Sequence, residues 1–80
     1  MAKYMYIFQG GGYVTASTSE EFVTNMRNSS ISSEASLQDY MVAVSDRCMV
    51  DSRKYVRTTS YDEFLQDLIT FEYVVQINTN

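Results

Sequence analysis

The chain has 80 residues, of which 45% are hydrophobic, and its six basic and ten acidic side chains give a formal net charge of −4. This length predicts one domain over residues 1–80, and the acidic balance disfavours general nucleic-acid binding, which depends on phosphate neutralisation. Because the sequence has no histidine, Ser-His-Asp and Cys-His catalytic sets are excluded within one chain.

The residue types that are missing also limit metal and cofactor chemistry. One cysteine excludes an internal disulfide and, without histidine, an ordinary zinc site. Only oxygen-ligand sites for magnesium or calcium would remain, and neither the EF-hand spacing nor a nucleotide-binding signature occurs. A carboxylate-only enzyme is formally possible, but a chain of this size leaves little room for a substrate cleft. We therefore expect a non-enzymatic protein with no cofactor.

The first predicted element is a strand over Lys3 to Phe8 that is apolar on both faces. Tyr4, Tyr6 and Phe8 fall on one face, and Met5 and Ile7 fall on the other. This pattern is typical of a strand covered on both sides, or covered on one side by a partner molecule.

The segment Gln9-Gly10-Gly11-Gly12 follows this strand and allows the positive φ angles of a tight turn. The next strand, Tyr13 to Ala16, should therefore pair antiparallel with the first. The alternative is a glycine-rich phosphate cradle, but such a loop opens directly into a helix.

The stretch Tyr13–Met26 recurs without a gap as Tyr55–Leu68. Each copy begins with Tyr-Val, continues with hydroxyl residues and ends in an apolar pattern of helical spacing. The pairs Thr18 with Glu21 and Ser60 with Glu63 have the spacing of a helix capping box. We interpret each copy as a strand, a capped turn and an amphipathic helix, and chance similarity is the alternative.

The remaining elements complete a two-layer α+β fold. They are a helix from about Ser19 to Arg27, a polar connector over 28–33, a helix from Ser33 or Ser36 to about Val50, a strand over Tyr55–Thr58, a helix from Tyr61 to about Thr70, and a strand over Tyr73–Ile77. A strand–helix–strand connection within one sheet is nearly always parallel, so the sheet should be mixed and four-stranded. The predicted order is strand, strand, helix, helix, strand, helix, strand, with a duplicated strand–turn–helix unit.

Two sets of residues are candidates for contacts with other molecules. Tyrosine is enriched at interfaces, and the candidate interaction surface consists of Tyr4, Tyr6, Tyr13, Tyr55 and Tyr61. The alternative is that these tyrosines line the rim of a small core. The candidate anion patch consists of Arg47, Arg53, Lys54 and Arg57, for which a solvated strand edge is the alternative. Cys48 is predicted to be a buried structural thiol.

The sequence supports three hypotheses about function. The N-terminus lacks the pattern of a signal peptide and no apolar run is long enough to span a membrane, so we expect a cytoplasmic protein. The first hypothesis is a protein-interaction or self-association module, with a homodimer as one form. The second is an acidic inhibitor that occupies the nucleic-acid site of a partner. The third is weak nucleic-acid or anion binding through the basic patch.

Overall fold

The computed structural model describes residues 3–29 and 36–78, and this part of the chain forms three strands and three helices. In chain order they are β1 (Tyr4–Phe8), β2 (Tyr13–Ala16), α1 (Ser19–Asn28), α2 (Leu37–Ser52), α3 (Tyr61–Thr70) and β3 (Val74–Asn78). None of these helices is both long enough and apolar enough to cross a membrane. The α+β class and the three helices are as predicted.

The sheet has the order β2-β1-β3, and both pairings are antiparallel. The predicted hairpin between β1 and β2 is confirmed. Gly11 and Gly12 have φ angles of 107° and 84°, and the Phe8 N–H donates to the Gly12 carbonyl over 3.0 Å. The glycine segment leads into a strand and not into a helix, which does not fit a phosphate cradle.

The strand predicted over Tyr55–Thr58 is wrong, because this segment belongs to no strand of the sheet. Side chains of the helices form hydrogen bonds with its backbone. Ser45 donates to the Val56 carbonyl (2.7 Å), and Gln38 donates to the Thr58 carbonyl (3.0 Å). Asp67 accepts from the Arg57 N–H (2.9 Å). Buried backbone polar groups need partners, and here side chains of α2 and α3 supply them instead of a neighbouring strand. The described sheet is therefore three-stranded and wholly antiparallel, and not mixed.

The helix caps predicted from the repeat are present. The Thr18 hydroxyl accepts from the Glu21 N–H over 3.0 Å, and the Ser60 hydroxyl accepts from the Glu63 N–H over 3.1 Å. These bonds satisfy one of the free N–H groups at the start of α1 and of α3.

The glutamates of the two capping boxes do not accept a hydrogen bond from the backbone N–H of the cap residue, as a full capping box would require. Glu21 accepts from the Ser17 N–H over 2.7 Å, whereas Glu63 accepts from the Thr59 hydroxyl and from Arg57. Both copies therefore contain a capped helix, but only the first begins with a paired strand. The duplicated strand–turn–helix unit is not confirmed.

Helix α2 is capped by Ser36, whose hydroxyl accepts from the Asp39 N–H over 3.1 Å. The other predicted cap, Ser33, and most of the connector over 28–33 lie outside the described residues. The helix extends to Ser52, beyond the predicted end at Val50, and stops where Arg53 adopts a left-handed conformation with φ of 57°.

The core lies between the helices and one face of the sheet. Its largest fully buried side chains are Phe22, Phe64, Met41, Leu68, Val23, Val56 and Val74. Phe22 packs edge-on against Tyr6 of β1, with the ring centroids 4.8 Å apart. Phe22 and Phe64 occupy matching positions in the repeat, so each copy contributes a helix anchored in the core by one phenylalanine.

Candidate interaction surface

The two faces of the sheet are in different environments. Successive residues of a strand point to opposite faces, and on β1 the side chain of Tyr6 is 4% exposed whereas that of Ile7 is 37% exposed. The inner face, with Tyr6, Val14 and Val74, belongs to the core beneath the helices. The side chains on the opposite face are not covered by the three described helices.

The strand register arranges these side chains in two rows. Ile7 lies opposite Tyr13 of β2 and opposite Val75 of β3. In the next row, Met5 lies opposite Thr15 and Ile77. We call these six residues the outer face: Met5, Ile7, Tyr13, Thr15, Val75 and Ile77. Five of the six are apolar or aromatic, so the row Tyr13–Ile7–Val75 is apolar across all three strands, and the other row contains Thr15 as its one polar member.

Much of the outer face is accessible to solvent. The exposed fraction is 63% for Tyr13, 56% for Val75 and 42% for Ile77. Contiguous exposed apolar side chains of this kind mark interaction sites on soluble proteins. Here they lie on adjacent strands of a hydrogen-bonded sheet, which fixes their relative positions.

The strands that carry the outer face contain no Asp, Glu, Lys or Arg. The nearest charged residue along the chain is Lys3, which directly precedes β1. Proteins usually protect exposed sheet edges with charges, proline or bulges. The edge strands β2 and β3 have no charged residue and no proline, so these two kinds of protection are absent from their sequences.

The five tyrosines of the predicted interaction surface do not lie together. Tyr6 is buried on the inner face, where its hydroxyl accepts from the Gln76 amide over 3.3 Å, and Tyr4 is half-buried beside it. Tyr13 lies on the outer face. Tyr55 is exposed before Val56, and Tyr61 is half-buried in the first turn of α3. Burial raises the pKa of the Tyr6 hydroxyl, and the charge of nearby Tyr4 adds to this effect. Only Tyr13 contributes to the outer face.

Sequence reasoning missed Ile7, Val75 and Ile77 as surface residues, although their signal was present. The alternation placed Ile7 with Met5 on one strand face and Val75 with Ile77 on another. What the alternation could not supply was the register between the first and last strands. The order of the strands in the sheet was left open, so these aliphatic residues were not placed side by side.

One of the four residues of the predicted anion patch, Arg57, forms ion pairs within the molecule. Arg57 binds Asp67 through two guanidinium nitrogens, over 2.9 and 2.8 Å, and binds Glu63 over 3.2 Å. This hydrogen bonding raises the pKa of Arg57 and lowers the pKa of Asp67. Lys54 lies 5.7 Å from the centre of the Phe71 ring. The guanidinium of Arg57 is therefore already paired with carboxylates.

Apart from the outer face, the surface has an apolar recess of about 510 Å³. Its apolar lining includes Phe8, Met26, Val44, Leu68 and Val74. Cys48, which also lines it, is a free and buried thiol as predicted, and burial raises its pKa. The Tyr73 hydroxyl beside this thiol has no nitrogen or oxygen partner among the described residues, and sulfur is only a weak acceptor.

The described residues bring together no three His, Cys, Asp or Glu side chains that could hold a metal ion. In comparisons with known proteins, no family model, no curated protein and no solved structure matches the chain. Its function is therefore inferred from its own residues, and the outer face is an exposed, mainly apolar group that spans three adjacent strands.

Proposed function

We propose that this chain is a non-enzymatic protein-interaction module that binds through the outer face of its sheet. The observation that supports this proposal is the row Tyr13–Ile7–Val75, in which three strands present an exposed aromatic or aliphatic side chain at the same level. The absence of histidine from the sequence agrees with a role that needs no acid–base catalysis.

The energetic argument concerns the cost of leaving this face in water. Fully burying a valine, isoleucine or larger apolar side chain is worth about 1.5–3 kcal/mol relative to leaving it exposed. Residues at the centre of the face, such as Ile7, stay 37% exposed even with neighbours on both sides. A partner that covers the outer face would recover part of this energy, because a sheet apolar on both faces is typical of a three-layer arrangement.

Photo-crosslinking in the cells that make the protein tests the proposal. A photoreactive amino acid replaces Val75, which is 56% exposed on the outer face, or Val50, which is 80% exposed on α2. We expect discrete protein adducts from position 75 and not from position 50. Equal labelling from both positions, or no protein adduct from position 75, would contradict the proposal.

An acidic inhibitor is the second candidate, and the starts of α1 and α3 favour it. The Ser19 hydroxyl donates to the Asp62 carboxylate, and one depression contains Glu20 and Asp62 together. Helices α1 and α3 thereby place carboxylates from two parts of the chain on one surface. For this candidate, partner binding should weaken strongly as salt increases, whereas binding through the uncharged outer face should change little.

Nucleic-acid binding through the basic patch remains the weakest of the three hypotheses. The carboxylates of Asp67 and Glu63 already pair with Arg57, so a phosphate would have to compete with them. As part of the proposal we place the protein in the cytoplasm, because a single free thiol suits a reducing compartment.

A further inference from the structure

We infer that the partner covering the outer face is a second copy of this chain, so that two sheets pack face to face about a two-fold axis. This inference rests on the proposed function and specifies its partner. It follows from the distribution of charge, from the position of β1 in the sheet and from the size of the face.

The charge distribution favours a second copy. Each copy carries a net charge of −4, which would oppose self-association if the acids were at the interface. The strands have no charged residue, however, and the acids Glu20, Glu21, Asp62 and Glu63 belong to α1 and α3, on the other side of the sheet. With layers about 10 Å apart, these four carboxylates of one copy would be roughly 30 Å from those of the other, several Debye lengths at physiological salt.

An uncharged face also lacks the means to select a charged partner. Electrostatic complementarity directs a protein toward an oppositely charged surface, and the outer face offers only apolar contacts and the hydroxyls of Tyr13 and Thr15. A suitable partner must have an accessible apolar face that is equally free of charge. A second copy supplies such a face, and a two-fold axis makes the same patch complementary to itself.

The strand order fixes the centre of this interface. Because β1 is the middle strand, centring one outer face on the other places the two β1 strands across from each other. Ile7 and Met5 would then lie near the axis, whereas Tyr13 on β2 would lie toward the rim, where its hydroxyl can stay in water. The two sheets would form an aligned sandwich about 10 Å apart.

The size of the face sets the strength of the dimer. Three strands of about five residues cover about 15 Å by 17 Å, which is less than the roughly 800 Å² per partner of a standard interface. The dimer should therefore be weak and reversible, with a dissociation constant between about 1 μM and about 1 mM.

Analytical ultracentrifugation across a range of concentrations tests the inference. From about 1 μM to about 1 mM, the wild-type mass should rise from 9.2 kDa toward twice that value. Ile7→Lys should weaken the dimer at least tenfold, because each copy would place a charge near the axis. Val50→Lys introduces the same charge on α2 and should leave the dimer unchanged.

Two further variants keep the test decisive. If Ile7→Lys does not fold by circular dichroism, Val75→Lys replaces it, because Val75 is the more exposed of the two side chains. In a Cys48→Ala background, Ile7→Cys should be linked by a short bismaleimide, whereas Val50→Cys should not. A direct disulfide is too short for sheets about 10 Å apart.

The inference fails if the wild type is a monomer at every concentration, or if lysine at positions 7 and 75 leaves the dimer intact. In that event the photo-crosslinking experiment tests whether the outer face binds any protein at all. Adducts from position 75 with a different protein would preserve the interaction module and reject the second copy. No adduct at all from that position would reject both.

Discussion

Ser45 of α2 donates a hydrogen bond to the carbonyl oxygen of Val56 over 2.7 Å, and both residues are buried. This bond links α2 to the extended segment before α3. In Ser45→Ala the carbonyl would stay buried without this partner, so we expect a loss of about 1–3 kcal/mol in the free energy of unfolding. Urea denaturation followed by circular dichroism measures the change. Ser52→Ala, at the exposed end of the same helix, should change stability by less than about 0.5 kcal/mol, and equal effects of the two variants would contradict the prediction.

Asp67 makes folding stability depend on pH in the acid range. Its pKa is lowered in the folded protein, mainly by hydrogen bonds from the Arg57 guanidinium and also from the Arg57 backbone N–H. A carboxylate with a lowered pKa contributes stability above its unfolded pKa of about 3.9 and loses it as the pH falls through the folded pKa. Asp67→Asn should therefore be less stable than wild type at pH 7, and this difference should shrink below about pH 4.

Urea denaturation of wild type and Asp67→Asn at several pH values tests this prediction. Comparing the two proteins at each pH removes the contribution of the other acidic residues, which both share. Asp46→Asn is the matched control, since Asp46 is an exposed aspartate on α2, and it should show no such convergence. A stability difference between wild type and Asp67→Asn that stays constant from pH 7 to pH 2.5 (about the lowest practical value) would refute the role of this ion pair.

Features that depend on a few neighbouring residues were predictable from the sequence. Thr18 and Ser60 were identified as caps because a capping hydroxyl and the N–H that it binds are only three residues apart. The β1–β2 hairpin was predictable for the same reason, since the glycines that allow its turn lie between the strands.

The segment around Val56 shows why the rest could not be predicted. Tyr55 and Val56 have the residue types of a strand, but a strand exists only if another strand pairs with it. The actual partners of this segment, Ser45 and Asp67, are about ten residues away on two different helices. No local pattern identifies them, because their position follows from the packing of α2 and α3.

The outer face was also predictable only in part: the alternation within one strand can be read from the sequence, whereas the pairing between strands cannot. Alternation within β1 correctly separated Ile7 from Tyr6, so the existence of a second apolar face was visible in the sequence. That Val75 lies beside Ile7 depends on the pairing of β1 with β3, which are separated by all three helices. The tyrosine count was therefore a weaker guide to the surface than the sheet register.

Glu72 ends α3 in a conformation that suits glycine. Its φ angle is 65°, and the N–H groups of Glu72 and Tyr73 donate to the carbonyls of Ile69 and Leu68 over 3.0 and 2.9 Å. This is the Schellman arrangement, in which the left-handed residue is usually glycine. A residue with a Cβ pays about 1 kcal/mol for this conformation.

Glu72→Gly should therefore raise the free energy of unfolding by about 0.5–1 kcal/mol, measured by urea denaturation at pH 7. Two effects contribute, because the substitution also removes a carboxylate from the end of a helix where negative charge is unfavourable. Glu72→Ala removes the same charge but keeps the Cβ, so the difference between the two variants combines the cost of the left-handed conformation with the larger unfolded-chain entropy of glycine. If Glu72→Gly is no more stable than Glu72→Ala, the relief of the left-handed conformation does not exceed the entropy that glycine adds to the unfolded chain, and the prediction is wrong.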